Sequence, residues 1–410
     1  MKKTISLVAL ASVFAVGTAY ASGYRIPEQS ADSVAKAGAH IASAQGADAS
    51  YYNPANMSWA ADGWLSEVDL TYIHLTEIDY TDARSPLMNG TSETENFLLP
   101  TLFLVSPDYN DFRFGFSVTA PYGLAKRWND TFPATYARKF SLQVFDVNPS
   151  VSYAVNDYLS VAGGVRMLMA KAVARNGGRT ATGIGFSRDL EGDWEIDWGY
   201  NLAVAVQPND ALNLSVTYRS NVDLGLTGDA TLFTNYPSPY VFESGGNVEL
   251  PAPAVLTVAA AYTWEQMTVE LAWDRTFWSE YEELDIQYSR PLMHPVLAQI
   301  FGPAVPKDWD DTSAYRISVS YDFNESFTGM AGFAFDENPV PDESINFELP
   351  DSDAYLFSIG GRYKLNEQME MALGLLYDYK ESRKVRNATL AGEFEGASAI
   401  LVSAGFSYKF

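Results

Sequence analysis

Ser398 to Phe410 reads SAILVSAGFSYKF, and its alternation decides the fold. Ile400, Val402, Ala404, Phe406, Tyr408 and Phe410 fall on one face of an extended chain, and Leu401, Ser403, Gly405, Ser407 and Lys409 on the other. Successive side chains of a strand point to opposite faces, so this is a period-two pattern with one greasy side. That side is long and ends in aromatic rings, as a strand crossing a bilayer does when its rings sit at the interface.

The pattern recurs upstream. Leu212, Leu214, Val216 and Tyr218 oppose Asn213, Ser215, Thr217 and Arg219. Tyr315, Ile317, Val319, Tyr321 and Phe323 oppose Arg316, Ser318, Ser320 and Asp322. From Trp64 onward about fourteen such segments follow one another, among them 64–80, 111–124, 211–227, 246–263, 266–288 and 396–410. Some connectors are short and polar, such as Asn156-Asp157, Asn324-Glu325 and Asn366-Glu367. The alternate ones, including 175–193, 228–245 and 289–311, are long. Short turns at one end and long loops at the other are the asymmetry of an outer-membrane barrel. Closure is required because an open edge in lipid leaves backbone groups unpaired.

The chain opens differently. Lys2 and Lys3, the apolar run Ile5 to Val16, and Ala19-Tyr20-Ala21 fit a secretory signal over residues 1–21. Residues 22–62 lack alternation and are rich in Ala, Ser and Gly, which suits a hatch packed inside a narrow lumen. Residues 63–410 would then form the barrel. The fold class is therefore all-β: a 14-stranded antiparallel transmembrane β-barrel plugged by an N-terminal hatch, in the bacterial outer membrane.

Composition narrows the function. The net charge of -24 argues against nucleic acid, whose binding needs cations against phosphate. Hydrophobic residues make up 47% of the chain, yet mean hydropathy is only -0.11, as expected when apolar residues occupy alternate positions. There is no cysteine, so thiolate chemistry and disulfides are excluded. The three histidines, His40, His74 and His294, have no evident triad or metal partners, and no G-x-S-x-G occurs. Asp308-Trp309-Asp310-Asp311 lacks the spacing of a calcium loop. No enzyme, metal or cofactor is indicated. A diffusion porin would have a water-filled lumen and no hatch.

With strands and hatch laid out, the chain resembles the FadL family of outer-membrane transporters for long-chain fatty acids and other hydrophobic compounds. The resemblance rests on Gly23-Tyr24, Glu28-Gln29-Ser30, Asp48-Ala49, Asn53-Pro54-Ala55, Tyr122-Gly123-Leu124, Trp128-Asn129-Asp130-Thr131, Thr217-Tyr218-Arg219-Ser220, Ala314-Tyr315-Arg316-Ile317 and Leu349-Pro350-Asp351-Ser352-Asp353, in this order over nearly the whole mature chain. It implies an apolar pocket inside the barrel and a kink in the third strand through which ligand leaves sideways into the membrane. It also implies that Tyr24 projects into the pocket and that Asn53-Pro54-Ala55 holds the hatch to the wall. The terminal Phe410 matches the signature read by barrel-assembly machinery, and outer-membrane lipid and lipopolysaccharide would surround a monomer.

The residues themselves carry part of this. Pro121 offers no ladder donor and Gly123 permits a bend, so Pro121, Tyr122, Gly123 and Leu124 interrupt strand pairing. A carboxylate ligand needs cations, and strand parity puts Arg166, Arg219, Arg316 and Arg362 toward the lumen. Lys171 aligns with a ligand-binding cation of the family, although parity sets it on the face of Val161 and Val165 unless a bulge intervenes. Thr312 stands where the family has a second cation. Each lumen arginine could instead pair with Glu270, Asp322 or Glu370. The aromatic run Phe233 to Phe242 and PLMHPVLAQIFG at 291–302, a short amphipathic helix, are candidates for collecting ligand. Long-chain fatty acid is the first ligand and an aromatic or alkane hydrocarbon the second.

Overall fold

The computed structural model describes residues 23–410. The expected signal at 1–21 lies outside the described residues. Fourteen strands form a closed antiparallel barrel. They are β1 (Leu65–Leu75), β2 (Glu95–Val105), β3 (Phe112–Arg127), β4 (Lys139–Asn156), β5 (Leu159–Arg179), β6 (Gly185–Gly192 and Glu195–Asn209), β7 (Leu212–Arg219 and Val222–Thr234), β8 (Tyr240–Ala252 and Val255–Trp264), β9 (Met267–Thr276), β10 (Thr312–Asn324), β11 (Phe327–Asp336), β12 (Ala354–Lys364), β13 (Met369–Lys380) and β14 (Ser398–Lys409). The ring closes where β14 pairs with β1, from Leu65↔Lys409 to Leu75↔Ala399.

Parity is inverted relative to a soluble barrel. In β1, Val68, Leu70 and Tyr72 are exposed, while Glu67, Asp69 and Thr71 are buried. Apolar side chains outside and polar ones inside are what a lipid solvent selects.

Three expectations change. The stretch 228–245 is not a long loop, because β7 and β8 pair from Val222↔Ala252 to Thr234↔Tyr240. The stretch 175–193 is likewise a hairpin, paired from Val173↔Glu191 to Arg179↔Gly185. Both extend wall strands past breaks at 193–194, 220–221 and 253–254, and their Gly- and Asp-rich composition hid the alternation. The segment 266–288 is not one strand: β9 stops at Thr276, and a 3-10 turn follows at Trp278–Glu280. The amphipathic helix is present as Pro295–Phe301, with Leu297 and Phe301 buried. It packs on Leu232 and Phe242, while Tyr236, Val241 and Met293 stay exposed.

The segment 23–60 makes contact around the inside of the ring. The amides of Ile41, Ala42 and Ser43 donate to Glu270 on β9 at 2.6, 2.8 and 2.9 Å. The Ala31 amide donates to Asp69 on β1, the Ser358 hydroxyl on β12 donates to the Ala35 carbonyl, and the Asn53 side-chain amide donates to the Ser215 hydroxyl on β7. A short helix, α1 (Ala31–Ala35), is capped by the Ser30 hydroxyl, which accepts from the Ser33 amide. Gly332 permits the close approach: a Cβ there would lie 2.2 Å from the Lys36 carbonyl carbon.

Candidate functional site

The candidate site lies where β3 bends into the lumen. Burial alternates along β3 as far as Thr119; from Thr119 to Lys126 every residue is buried. Among the described residues β3 pairs with β2 only over Gly115–Val118, from Gly115↔Val105 to Val118↔Leu102. The two sides meet again higher up, at the Ser92–Trp128 bridge. On its other side the β3–β4 register shifts between Thr119 and Tyr122. Pro121 and the residues after it thus separate from β2 without leaving β4.

The backbone groups freed by the bend bond to the N-terminal segment. Ile26 N–H donates to the Pro121 carbonyl at 2.7 Å, and Gly123 N–H to the Tyr24 carbonyl at 2.9 Å. Gln29 completes the arrangement: its Oε1 accepts from the Ala120 amide at 2.8 Å and its Nε2 donates to the Ala120 carbonyl at 3.1 Å. Buried backbone groups need such partners. The N-terminal segment is therefore a substitute strand for the stretch that β2 does not reach.

Tyr24 occupies the centre. Its ring packs 4.6 Å from Trp278 and 5.7 Å from Trp309, centroid to centroid, with Tyr122 and Tyr281 each at 6.5 Å. Its hydroxyl donates to the Pro251 carbonyl, and the Tyr122 hydroxyl to the Pro253 carbonyl. A narrow crevice of about 20 Å³ opens beside it, lined by Leu124, Phe140, Leu250, Trp309 and Leu349 among others. A second, largely apolar cavity of about 60 Å³ shares Phe140 and Leu250 with the first and lies among the extended β5–β8 hairpins. The two adjoin through these shared side chains, and the first reaches Leu124 at the end of the kink. Below them, at the end with the short turns, lies a wider cavity of about 500 Å³ lined by charged residues such as Lys36, Glu67, Arg362 and Glu370.

The cations expected to meet a carboxylate are engaged elsewhere. Arg316 pairs with Asp274 and Asp336 at 3.2 Å each and with Glu28 at 3.5 Å, and it donates to the Ala37 carbonyl. Arg362 joins Asp32, Glu67 and Glu370, and Arg166 joins Asp146. Of the three carboxylates anticipated as lumen partners, Glu370 pairs with an arginine in this way, whereas Glu270 caps backbone amides. Arg219 stacks over Tyr51 at 3.9 Å, donates to the Tyr51 carbonyl and lies 3.8 Å from Asp146. It lines a separate interior crevice with Arg25 and Asp274.

Lys171 does not reach the lumen. β5 stays in register with β6 from Leu159↔Val206 to Ala170↔Glu195, and Gln143↔Lys171 continues the β4 ladder. Without a bulge, parity leaves Lys171 on the outward face with Val161 and Val165. The cation beside the Tyr24 crevice is Lys307, which the sequence reading passed over. Its ammonium lies 2.8 Å from Glu348. Burial pushes the Glu348 carboxyl up, but Lys307 outweighs that and holds it below the ordinary 4.5. Trp278 and Trp309 were also missed. The signal available was the aromatic cluster Trp278, Tyr281 and Trp309 flanking a long outer connector.

Asn53 is buried, and besides Ser215 its side-chain amide reaches the Ile41 carbonyl. Pro54 and Ala55 begin a 3-10 helix, Pro54–Trp59, packed against β4 and β5.

The profile of the family described as "Outer membrane protein transport protein (OMPP1/FadL/TodX)" matches residues 12–410. The "Long-chain fatty acid transport protein" of Escherichia coli K12 is 24% identical over 359 residues, covering 76% of this chain and 77% of its own. "Outer membrane protein P1" of Haemophilus influenzae Rd is 24% identical over 429 residues, covering 93% and 90%. Among solved structures, a Pseudomonas aeruginosa FadL homologue superposes with a TM-score of 0.83 at 16% identity, covering 95% of this chain and all of that one. The P. putida toluene transporter TodX superposes with a TM-score of 0.74 at 19% identity, covering 95% and 99%.

Proposed function

The chain belongs to the outer membrane transport protein family OMPP1/FadL/TodX, and from that premise we propose that it takes up long-chain fatty acids passively, releasing them sideways into the membrane through the β3 kink. The observation that carries this reading is the parting of β2 and β3 beside an apolar crevice. An apolar molecule gains free energy by passing from that crevice into hydrocarbon instead of into water. The segment 23–60 acts as a hatch over the polar lower lumen. Ligand collects at the exposed Tyr236, Val241 and Met293, follows the Phe140–Leu250 route and displaces Tyr24. Residues 1–21 are a cleaved signal, and Phe410 addresses the monomer to the assembly machinery.

Hydrocarbon uptake is the second reading. It is favoured by the prior engagement of the lumen arginines with carboxylates, which leaves Arg219, short of a full set of partners, as the candidate for a fatty carboxylate. Displacement of a fluorescent fatty acid from the purified barrel separates the two readings. Oleate competing where toluene does not supports the acid; toluene competing, or no binding of the acid, supports the hydrocarbon. Gly123→Ile tests the exit, because uptake that persists with an intact barrel would rule it out.

A further inference from the structure

Two buried hydrogen-bond donors at the Tyr24 site are unused. The Nε1–H groups of Trp278 and Trp309 make no hydrogen bond among the described residues, although both side chains are buried, at 0% and 5% exposure. A buried donor without an acceptor costs free energy that an incoming acceptor recovers. Their rings are 5.0 Å apart and both pack on Tyr24. Trp309 also lines the crevice next to Tyr24.

Several other polar groups nearby are committed. Tyr24 and Tyr122 donate to proline carbonyls, and Lys307 is held by Glu348. Asp351 accepts from the Gly23 amide and from Lys380. An anion entering here would meet Glu348 and Asp351 with no uncommitted cation to offset them. An indole can donate but not accept, so it favours an acceptor oxygen over a donor. The surrounding rings supply an apolar wall.

We propose that the Tyr24 pocket binds a neutral, oxygen-bearing hydrophobic molecule, a ketone or ester, whose carbonyl accepts from the indole N–H groups of Trp278 and Trp309. This rests on the passive uptake of hydrophobic molecules and goes beyond the fatty acid to a further ligand class: an apolar chain with one neutral acceptor.

The test is calorimetric titration of the purified full-length barrel with 2-dodecanone, dodecane and dodecanoate. The ketone is expected to bind about tenfold tighter than the alkane, the equivalent of one well-made hydrogen bond. It should also bind tighter than the acid. Trp278→Phe with Trp309→Phe should reduce ketone affinity to that of the alkane and leave the alkane unchanged. Should that variant fail to fold, indole ¹⁵N–¹H resonances of the wild-type protein decide. Two of them should shift with 2-dodecanone and stay in place with dodecane. Equal affinities for ketone and alkane, tighter binding of dodecanoate, or unmoved indole resonances overturn the proposal while leaving uptake intact. No binding of any of the three removes the uptake reading and this inference together.

Discussion

Gln29 and Ala120 hold each other by two hydrogen bonds, amide side chain to backbone, in the manner of adjacent strands. The pair joins the N-terminal segment to the first residues of the bend in β3. It explains how a strand can part from its neighbour inside a barrel without leaving these backbone groups unpaired. Replacing Gln29 with Leu removes both bonds and strands a buried amide and carbonyl, at about 1–3 kcal/mol each. The amides of Ala120 and Gly123 are expected to exchange hydrogen at least about tenfold faster. Unchanged protection would mean the bend holds itself.

Arg316 ties three elements together: Glu28 in the N-terminal segment, Asp274 on β9 and Asp336 on β11. Arg316→Met leaves three buried carboxylates around an apolar side chain, and breaking a buried pair in this way costs about 3–5 kcal/mol. The folded barrel should unfold at markedly lower temperature, and ligand affinity should fall only as the fold fails. A variant of wild-type stability with lost fatty-acid binding would instead make Arg316 a ligand residue.

Gly332 faces the Lys36 backbone, where a Cβ would stand 2.2 Å from the carbonyl carbon. Backbone cannot yield as a side-chain tip can, so Gly332→Ala should push residues 35–38 off the wall. The expected readout is raised ion conductance in planar bilayers with the strand content of the parent. Parental conductance would show that the segment does not seal the lumen.

Lys307 and Glu348 lie on the outer connectors, and their pairing makes the 337–353 segment sensitive to acid. The Glu348 pKa is lowered in the folded protein, so its contribution is complete above the ordinary value and is lost as pH falls through the depressed one. Protease cleavage of this segment should accelerate as pH falls below the ordinary 4.5. In Glu348→Gln the rate should already be high at about pH 6 and change little with acid. A parental pH profile in that variant would assign the acid response to another group.

Local pattern made much of the fold legible. Alternation in Ser398–Phe410 and its counterparts marked strands, their outward faces and an even, closed count, because a period of two is written in neighbouring residues. Where pattern failed, it failed at Gly- and Asp-rich hairpins such as 228–245, and at β9, whose aromatic continuation past Thr276 read as more strand. Parity also set Lys171 on the outward face, against the role that resemblance suggested, and the unbroken β5 register keeps it there.

By itself the sequence determined an all-β chain with greasy faces outward, an N-terminal segment unlike the rest, and a break in β3 at Pro121 and Gly123. Tertiary structure alone decided which charges meet and which donors remain unused. Arg316 with Glu28, Gln29 with Ala120, and Tyr24 with Trp278 and Trp309 are pairs far apart in the chain. Their meeting depends on the register at which the barrel closes and on the path of residues 23–60 inside it. No local periodicity encodes either, because both follow from all fourteen strands packing at once.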